Sequence, residues 1–117
     1  MTRNEILALT GRELDESVLE RVMGYKRSDS VVLSGWYALG SAFLVSSVPR
    51  YSTDHNAARR VLAEIEKRGL DVTFVGALED IIWPEPVGID EVGVAWGLLN
   101  ATPAQICQAA LLAVEGV

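Results

Sequence analysis

The chain has 117 residues and a net charge of −6, with 16 acidic side chains against 10 basic ones. This length fits a single domain, residues 1–117, and a composition that is half apolar excludes disorder throughout the chain. One cysteine and one histidine exclude a disulfide framework and a Cys/His metal cage within one protomer. The acidic balance argues against nucleic-acid binding, which needs basic residues to contact phosphates.

Helix signals begin at the N-terminus. Two Thr-x-x-Glu capping boxes start at Thr2 and Thr10 and predict two helical pieces. The second is expected to run over residues 11–23, with Gly24 in the left-handed conformation that ends many helices. Two apolar stretches, 31–37 and 42–48, then flank Gly40 and predict a β-hairpin.

A third helix is predicted to begin at Ser52 or Thr53 and to end at Gly69. Asp54 adds a negative charge near its N-terminus, where the helix dipole favours one. Its expected apolar stripe consists of Ala57, Ala58, Val61, Leu62 and Ile65.

Two further apolar runs, 71–78 and 92–99, are rich in β-branched or aromatic residues and are predicted to be strands. The stretch between them, 79–91, contains two prolines and five acids and is expected to be an exposed loop. A last helix is predicted from Thr102 as N-cap and Pro103 at the first helical position, with Gln105 completing a capping box. Its expected buried face is Ile106, Cys107, Ala110, Leu111 and Val114.

These elements predict an α/β fold, in which a small sheet of about four mostly antiparallel strands packs with three to four helices in an α-β-α sandwich. Two uncharged stretches, 31–49 and 92–114, are interrupted by polar residues, so membrane insertion is not expected. The first residues lack an apolar signal core, so a cytoplasmic location is expected.

Three blocks of sequence resemble the phage ABA sandwich domain family, small proteins encoded by bacteriophages and prophages. They are GRELDESVLERVMGY (11–25), PRYSTDHNAARRVLAEIEKRG (49–69) and ATPAQICQAALLAV (101–114). The resemblance implies an α/β sandwich and a phage origin, which would place the protein in the host cell. It implies no reaction and carries over no catalytic residue.

The predicted start of the third helix combines features of an anion site. The N–H groups at a helix N-terminus and the hydroxyls of Ser52 and Thr53 can donate hydrogen bonds to a phosphate. The Arg50 guanidinium can pair with the same phosphate through two parallel hydrogen bonds. Tyr51 offers a face on which a base can stack. The expected ligand-binding residues are Arg50, Tyr51, Ser52, Thr53 and Arg59.

The same segment also fits a simpler interpretation. Ser52 or Thr53 can act as an ordinary N-cap without any ligand, and Asp54 would repel phosphate. Both interpretations remain open at the level of sequence.

Catalytic motifs such as GxSxG, Walker A and HExxH are missing from the sequence, so the chain is not expected to be an enzyme, and no cofactor is expected. Cys107 lies on an apolar helix face and is expected to be a core residue, and His55 has no visible nucleophile to activate. Trp36 and Trp96 are expected in the core or on a sheet face. Trp83, within an apolar patch of the acidic loop, either folds back on the core or meets a partner.

The function most compatible with these patterns is a non-enzymatic phage accessory protein that sequesters a small anionic, nucleotide-derived ligand, such as a host defence signal. The alternative is a protein-interaction module that blocks a host defence enzyme or serves a virion component through the acidic loop and Trp83. A hydrolase that uses the loop carboxylates ranks third. Because glycine-containing strands leave a sheet edge to cover, a homo-oligomer, first a dimer, is expected.

Overall fold

A computed structural model describes residues 1–27, 35–38, 44–45, 47–85 and 88–117. Most of this part of the chain is helical. The helices are α1 (Arg3–Ala8), α2 (Gly11–Ser17), α3 (His55–Lys67), α4 (Asp71–Ile82), α5 (Glu91–Leu99) and α6 (Pro103–Glu115), and α2 continues into a π-helical turn, Val18–Val22. The short strands β1 (Tyr25–Arg27), β2 (Trp36–Ala38) and β3 (Leu44–Val45) lie antiparallel in the order β1-β2-β3.

The predicted α/β sandwich with a four-stranded sheet is wrong, because the two runs 71–78 and 92–99 are helical. They form most of α4 and most of α5. In α4, the buried residues Phe74 and Leu78 are four positions apart, which is about one helical turn. In a strand with one buried face, every second residue would be buried. Packing of α4 on α6 therefore overrides the β-propensity of its valines and isoleucines.

The acidic loop is shorter than predicted, because α4 continues to Ile82 and includes the first four of its expected residues. The predicted hairpin lies partly outside the described residues, including its turn at Gly40. In its described part, β2 pairs with β3 so that Trp36 is opposite Val45.

Local capping explains most helix boundaries. Thr2 and Thr102 both form the predicted capping boxes, with Glu5 and Gln105 respectively. Thr10 precedes α2 as predicted, but its side chain makes no capping hydrogen bond, so the second box is wrong.

The N-cap of α3 is Asp54, rather than Ser52 or Thr53. The Asp54 carboxylate accepts a hydrogen bond from the Asn56 N–H at 2.8 Å. The predicted cap residues, Ser52 and Thr53, lie in the hydrogen-bonded turn directly before Asp54. In this turn the Arg50 carbonyl accepts hydrogen bonds from the Thr53 and Asp54 N–H groups. At the other end of α3, Gly69 adopts the predicted left-handed conformation, with φ of 69°.

Helix α6 lies at the centre of the core, packed against α1, α2, α3, α4 and the π-helical turn. Cys107, Ala110 and Leu111 are buried as predicted, whereas Ile106 and Val114 are half-buried. The buried side of α6 is wider than an amphipathic stripe because neighbours surround it.

The remaining predictions of core residues are confirmed for α3 and Trp36, with one exception each in α3 and α5. In α3, the predicted stripe is buried except for Leu62, which is exposed. Trp36 is buried as predicted. Trp96 lies on α5 and is mostly exposed, so its assignment to the core or a sheet face is wrong.

Within the described residues, each helix taken singly falls short of the length and apolarity needed to cross a membrane. Helices α5 and α6 meet that requirement only as a pair bent by 104°.

Candidate functional site

A cleft of about 930 Å³ opens between α2, the short strands and the segment that precedes α3. This volume falls within the range of pockets that hold small-molecule ligands. Its lining residues are Gly11, Arg12, Asp15, Arg27, Gly35, Trp36, Ser47, Val48, Pro49, Arg50, Ser52 and Thr53. Three of the predicted ligand-binding residues, Arg50, Ser52 and Thr53, thus line the same cleft.

A buried polar contact between two elements forms part of the cleft wall. The Asp15 carboxylate of α2, only 7% exposed, accepts a hydrogen bond from the Ser52 backbone N–H at 2.7 Å. The contact joins residues 37 positions apart in the chain. Because an ionised acceptor strengthens a hydrogen bond, this contact fixes the segment before α3 against α2.

The Ser52 side chain is also buried, and its Oγ has no hydrogen-bond partner among the described residues. A buried hydroxyl without a partner costs free energy, and such groups are uncommon in folded proteins. The Ser52 N–H, which the sequence suggested as a phosphate donor, is already bonded to Asp15. Both polar groups of Ser52, its N–H and its hydroxyl, are therefore turned away from the open part of the cleft.

Among the described residues that line the cleft, three are arginines and one, Asp15, is an acid, so the positive charge predominates there. Arg12 lies on α2, where its Nε donates to Glu16 at 3.0 Å. Arg27 ends β1, and Arg50 is exposed in the segment before α3. Guanidinium groups match carboxylate and phosphate geometry, so this arrangement favours an anion.

Trp36 lines the cleft as a buried side chain that is 6% exposed. The Arg27 guanidinium carbon lies 5.7 Å from the centre of the Trp36 ring, within the range of a cation–π contact. Arg27 and Trp36 face each other across the β1–β2 pair. The cleft thus combines cations with an aromatic side chain, the pairing that was expected from Arg50 and Tyr51.

Tyr51 itself does not line the cleft. It is 2% exposed and packs in the hydrophobic core, where burial raises its pKa from 10.0 to about 12. Its ring is therefore not accessible for stacking on a base. In this segment Arg50 and Thr53 are exposed, whereas Tyr51 and Ser52 between them are buried.

Arg59 is exposed on α3 and is not among the residues that line the cleft. His55 begins α3 and is also exposed. The structure therefore brings together three of the five predicted ligand-binding residues and separates Tyr51 and Arg59 from them.

Trp83, the predicted partner contact, is half-buried directly after α4. A Cβ atom built on Gly97 of α5 would overlap the Trp83 ring. Trp83 therefore packs on α5, but it is not among the described side chains that pack against the main core, and its role as a partner contact stays a prediction.

Cys107 is fully buried, and burial followed by the charge of Asp15 raises its pKa from 9.0 to about 12. The thiol is therefore protonated at neutral pH and unsuited to nucleophilic attack. Among the described residues, no group of three or more His, Cys, Asp or Glu side chains is arranged to hold a metal ion.

Four cleft residues were missed from the sequence as site residues: Arg12, Asp15, Arg27 and Trp36. A signal for Asp15 was present, since it lies three and four residues before Val18 and Leu19 on the apolar face of its helix. An acid at such a position is seldom buried unless it is paired. Arg27 carried no comparable signal.

Comparisons of the chain with known protein families, with curated proteins and with solved structures found no match.

Proposed function

We propose that the protein binds a small anionic, nucleotide-derived ligand in the cleft and holds it without chemical change. The observation that carries this proposal is the convergence of Arg12, Arg27 and Arg50 on one cleft of small-molecule size. Trp36 lies beside Arg27 in the wall of this cleft.

The proposal differs from a helix N-terminal phosphate site. Asp54 caps α3, and the Ser52 N–H bonds to Asp15, so guanidinium groups rather than backbone N–H groups hold the ligand. Asp15 lies close to the bound anion and limits its affinity. It also favours a ligand that carries a donor, such as the exocyclic amine of a base, next to its phosphate.

We base the biological setting on the resemblance of the three sequence blocks to phage proteins, although the sandwich fold that this resemblance implied is not the observed one. We propose a phage accessory protein that acts in the host cytoplasm and sequesters a nucleotide signal of host defence. Sequestration requires tight binding and no turnover. The protonated state of Cys107 at neutral pH supports a role that does not involve a thiol nucleophile.

A thermal-shift screen tests the proposal. Linear and cyclic nucleotides, nucleosides without phosphate, and inorganic phosphate are compared at low and high salt. We expect one nucleotide class to raise Tm with a concentration dependence that fits one site, since a ligand of the native state stabilises it by mass action. Equal shifts with phosphate and with every nucleotide, or no shift with any of them, would contradict the proposal.

A second candidate function is protein binding, as in the alternative interpretation of the sequence. The half-buried position of Trp83 against Gly97 does not favour Trp83 as the contact. The outer side of α5 favours this candidate, because large apolar side chains are exposed there.

A further inference from the structure

Helix α5 exposes three large apolar side chains on one side. Val92, Trp96 and Leu99 are 76%, 70% and 81% exposed. Their spacing of four and then three residues places them in one row along the helix. Single exposed apolar residues are common, but a row of three on a nine-residue helix forms a patch. We call this row, with the adjoining acids Asp90 and Glu91, the α5 surface.

The inner side of α5 carries Gly93 and Gly97 beside the partly buried Leu98, which packs against the core. A Cβ on Gly97 would overlap the Trp83 ring, and a Cβ on Gly93 would overlap the Ile89 side chain. Helix α5 therefore packs inward through two glycines and a leucine, and it still leaves three large apolar side chains exposed on its outer side. A helix that only covers a core carries polar residues on its outer side.

Charge decides between possible occupants of the α5 surface. Asp90 and Glu91 are exposed at the N-terminal end of α5, and residues 70–117 contain seven acids and no base. A second copy of the chain would bring the same acids to the contact. Anionic lipid would be repelled, since helices that lie on membranes carry Lys and Arg beside their apolar side.

A basic amphipathic helix fits both properties of the α5 surface. Its apolar side covers Val92, Trp96 and Leu99, and its lysines or arginines approach Asp90 and Glu91. Two helices joined by an apolar row with complementary charges at the edge are a common mode of peptide recognition. We propose that the α5 surface binds a basic amphipathic helix of a partner protein.

The test uses the full chain and two synthetic peptides. In both peptides leucines follow helical spacing, and the remaining positions are lysine in one and glutamate in the other. Binding is followed by the blue shift of tryptophan fluorescence and by calorimetry. We expect the lysine peptide to bind at least about tenfold more tightly than the glutamate peptide, and to bind less tightly in high salt.

Matched variants locate the contact. Trp96→Ser and Leu99→Ser should each weaken binding of the lysine peptide by about tenfold, as for central residues of an interface. Val72→Ser is the control, because Val72 is 81% exposed but lies on α4. It should change affinity by less than about twofold. Since all three side chains are exposed, circular dichroism should show that the variants remain folded.

Several results would overturn the proposal. Equal affinity for the two peptides, or equal effects of Trp96→Ser and Val72→Ser, would do so. Sedimentation showing a dimer that Trp96→Ser dissociates would assign the α5 surface to a second copy. Binding to vesicles of phosphatidylserine that Trp96→Ser abolishes would assign it to a membrane.

Discussion

The cleft and the α5 surface are built in opposite ways. The cleft is lined by three arginines, and its carboxylate, Asp15, is buried and hydrogen-bonded. The α5 surface combines a row of exposed apolar side chains with two exposed acids at one end. The two sites therefore suit different partners, a small anion for the cleft and a cationic, apolar helix for the α5 surface.

The difference also concerns how each site depends on the fold. The cleft is formed by residues from three separated parts of the chain, so its geometry requires the tertiary contact between α2 and the segment before α3. The α5 surface comes from one helix and is retained as long as α5 stays helical. We therefore expect substitutions near the cleft to affect stability and binding together, and substitutions on the α5 surface to affect binding alone.

The largest expected effect is that of Asp15→Ala. It leaves the buried Ser52 N–H without its acceptor and should lower the free energy of unfolding by about 2 kcal/mol. Asp80→Ala removes an exposed acid from α4 and is the control, with an expected change within about 0.5 kcal/mol. Urea unfolding of both variants measures the difference. Equal stability of the two variants would show that the Asp15 contact does not fix the cleft.

Alkaline pH should cause the next largest loss in the free energy of unfolding, because Cys107 and Tyr51 are buried and titrate there. Cys107 and Tyr51 keep their protons in the folded state up to a pKa of about 12, whereas the unfolded chain loses them from 9.0 and 10.0 upward. The native state then binds more protons, so stability falls as pH rises from about 9 toward 12.

At pH 10 this loss should amount to about 1–2 kcal/mol relative to pH 7. Urea unfolding at both pH values measures it, and Cys107→Ala should lose less than the native sequence over the same interval. A loss of the same size in Cys107→Ala would show that the buried thiol makes no contribution.

The smallest expected changes in stability come from replacing two helical glycines, Gly97 and Gly76, by alanine. Gly97→Ala forces the Trp83 ring away from α5 and should destabilise the protein by about 1 kcal/mol. Gly76→Ala on α4 has open space around its Cβ and should stabilise by about 0.5 kcal/mol through higher helix propensity. Hydrogen exchange should be faster in α5 of Gly97→Ala alone. If both variants gain stability, α5 does not rest on Trp83.

The sequence predicted the helices that depend on local chemistry. Capping boxes and a proline define α1 and α6 within a few residues, and Gly69 marks the end of α3. Helices α4 and α5 were missed because their apolar runs lack a regular polar side, so β-branched composition dominated the prediction. Only packing on α6 and Trp83 distinguishes these helices from strands.

The candidate site was predicted in part for a similar reason. Arg50, Ser52 and Thr53 were found because they are adjacent in sequence near a helix start. Asp15 and Arg27 join them only through tertiary contacts that no local pattern encodes. The inward position of Tyr51 likewise depends on how the segment before α3 packs on the core.

Calorimetric titration of Arg50→Ala and Arg59→Ala tests the central claim, that the arginines of the cleft bind the ligand. Both variants lose one exposed guanidinium, but only Arg50 lines the cleft. With the nucleotide that gives the largest thermal shift, Arg50→Ala should bind about tenfold more weakly, or about 1.4 kcal/mol. Arg59→Ala should bind as the native sequence does. Unchanged affinity in Arg50→Ala, or an equal loss in both variants, would contradict the account.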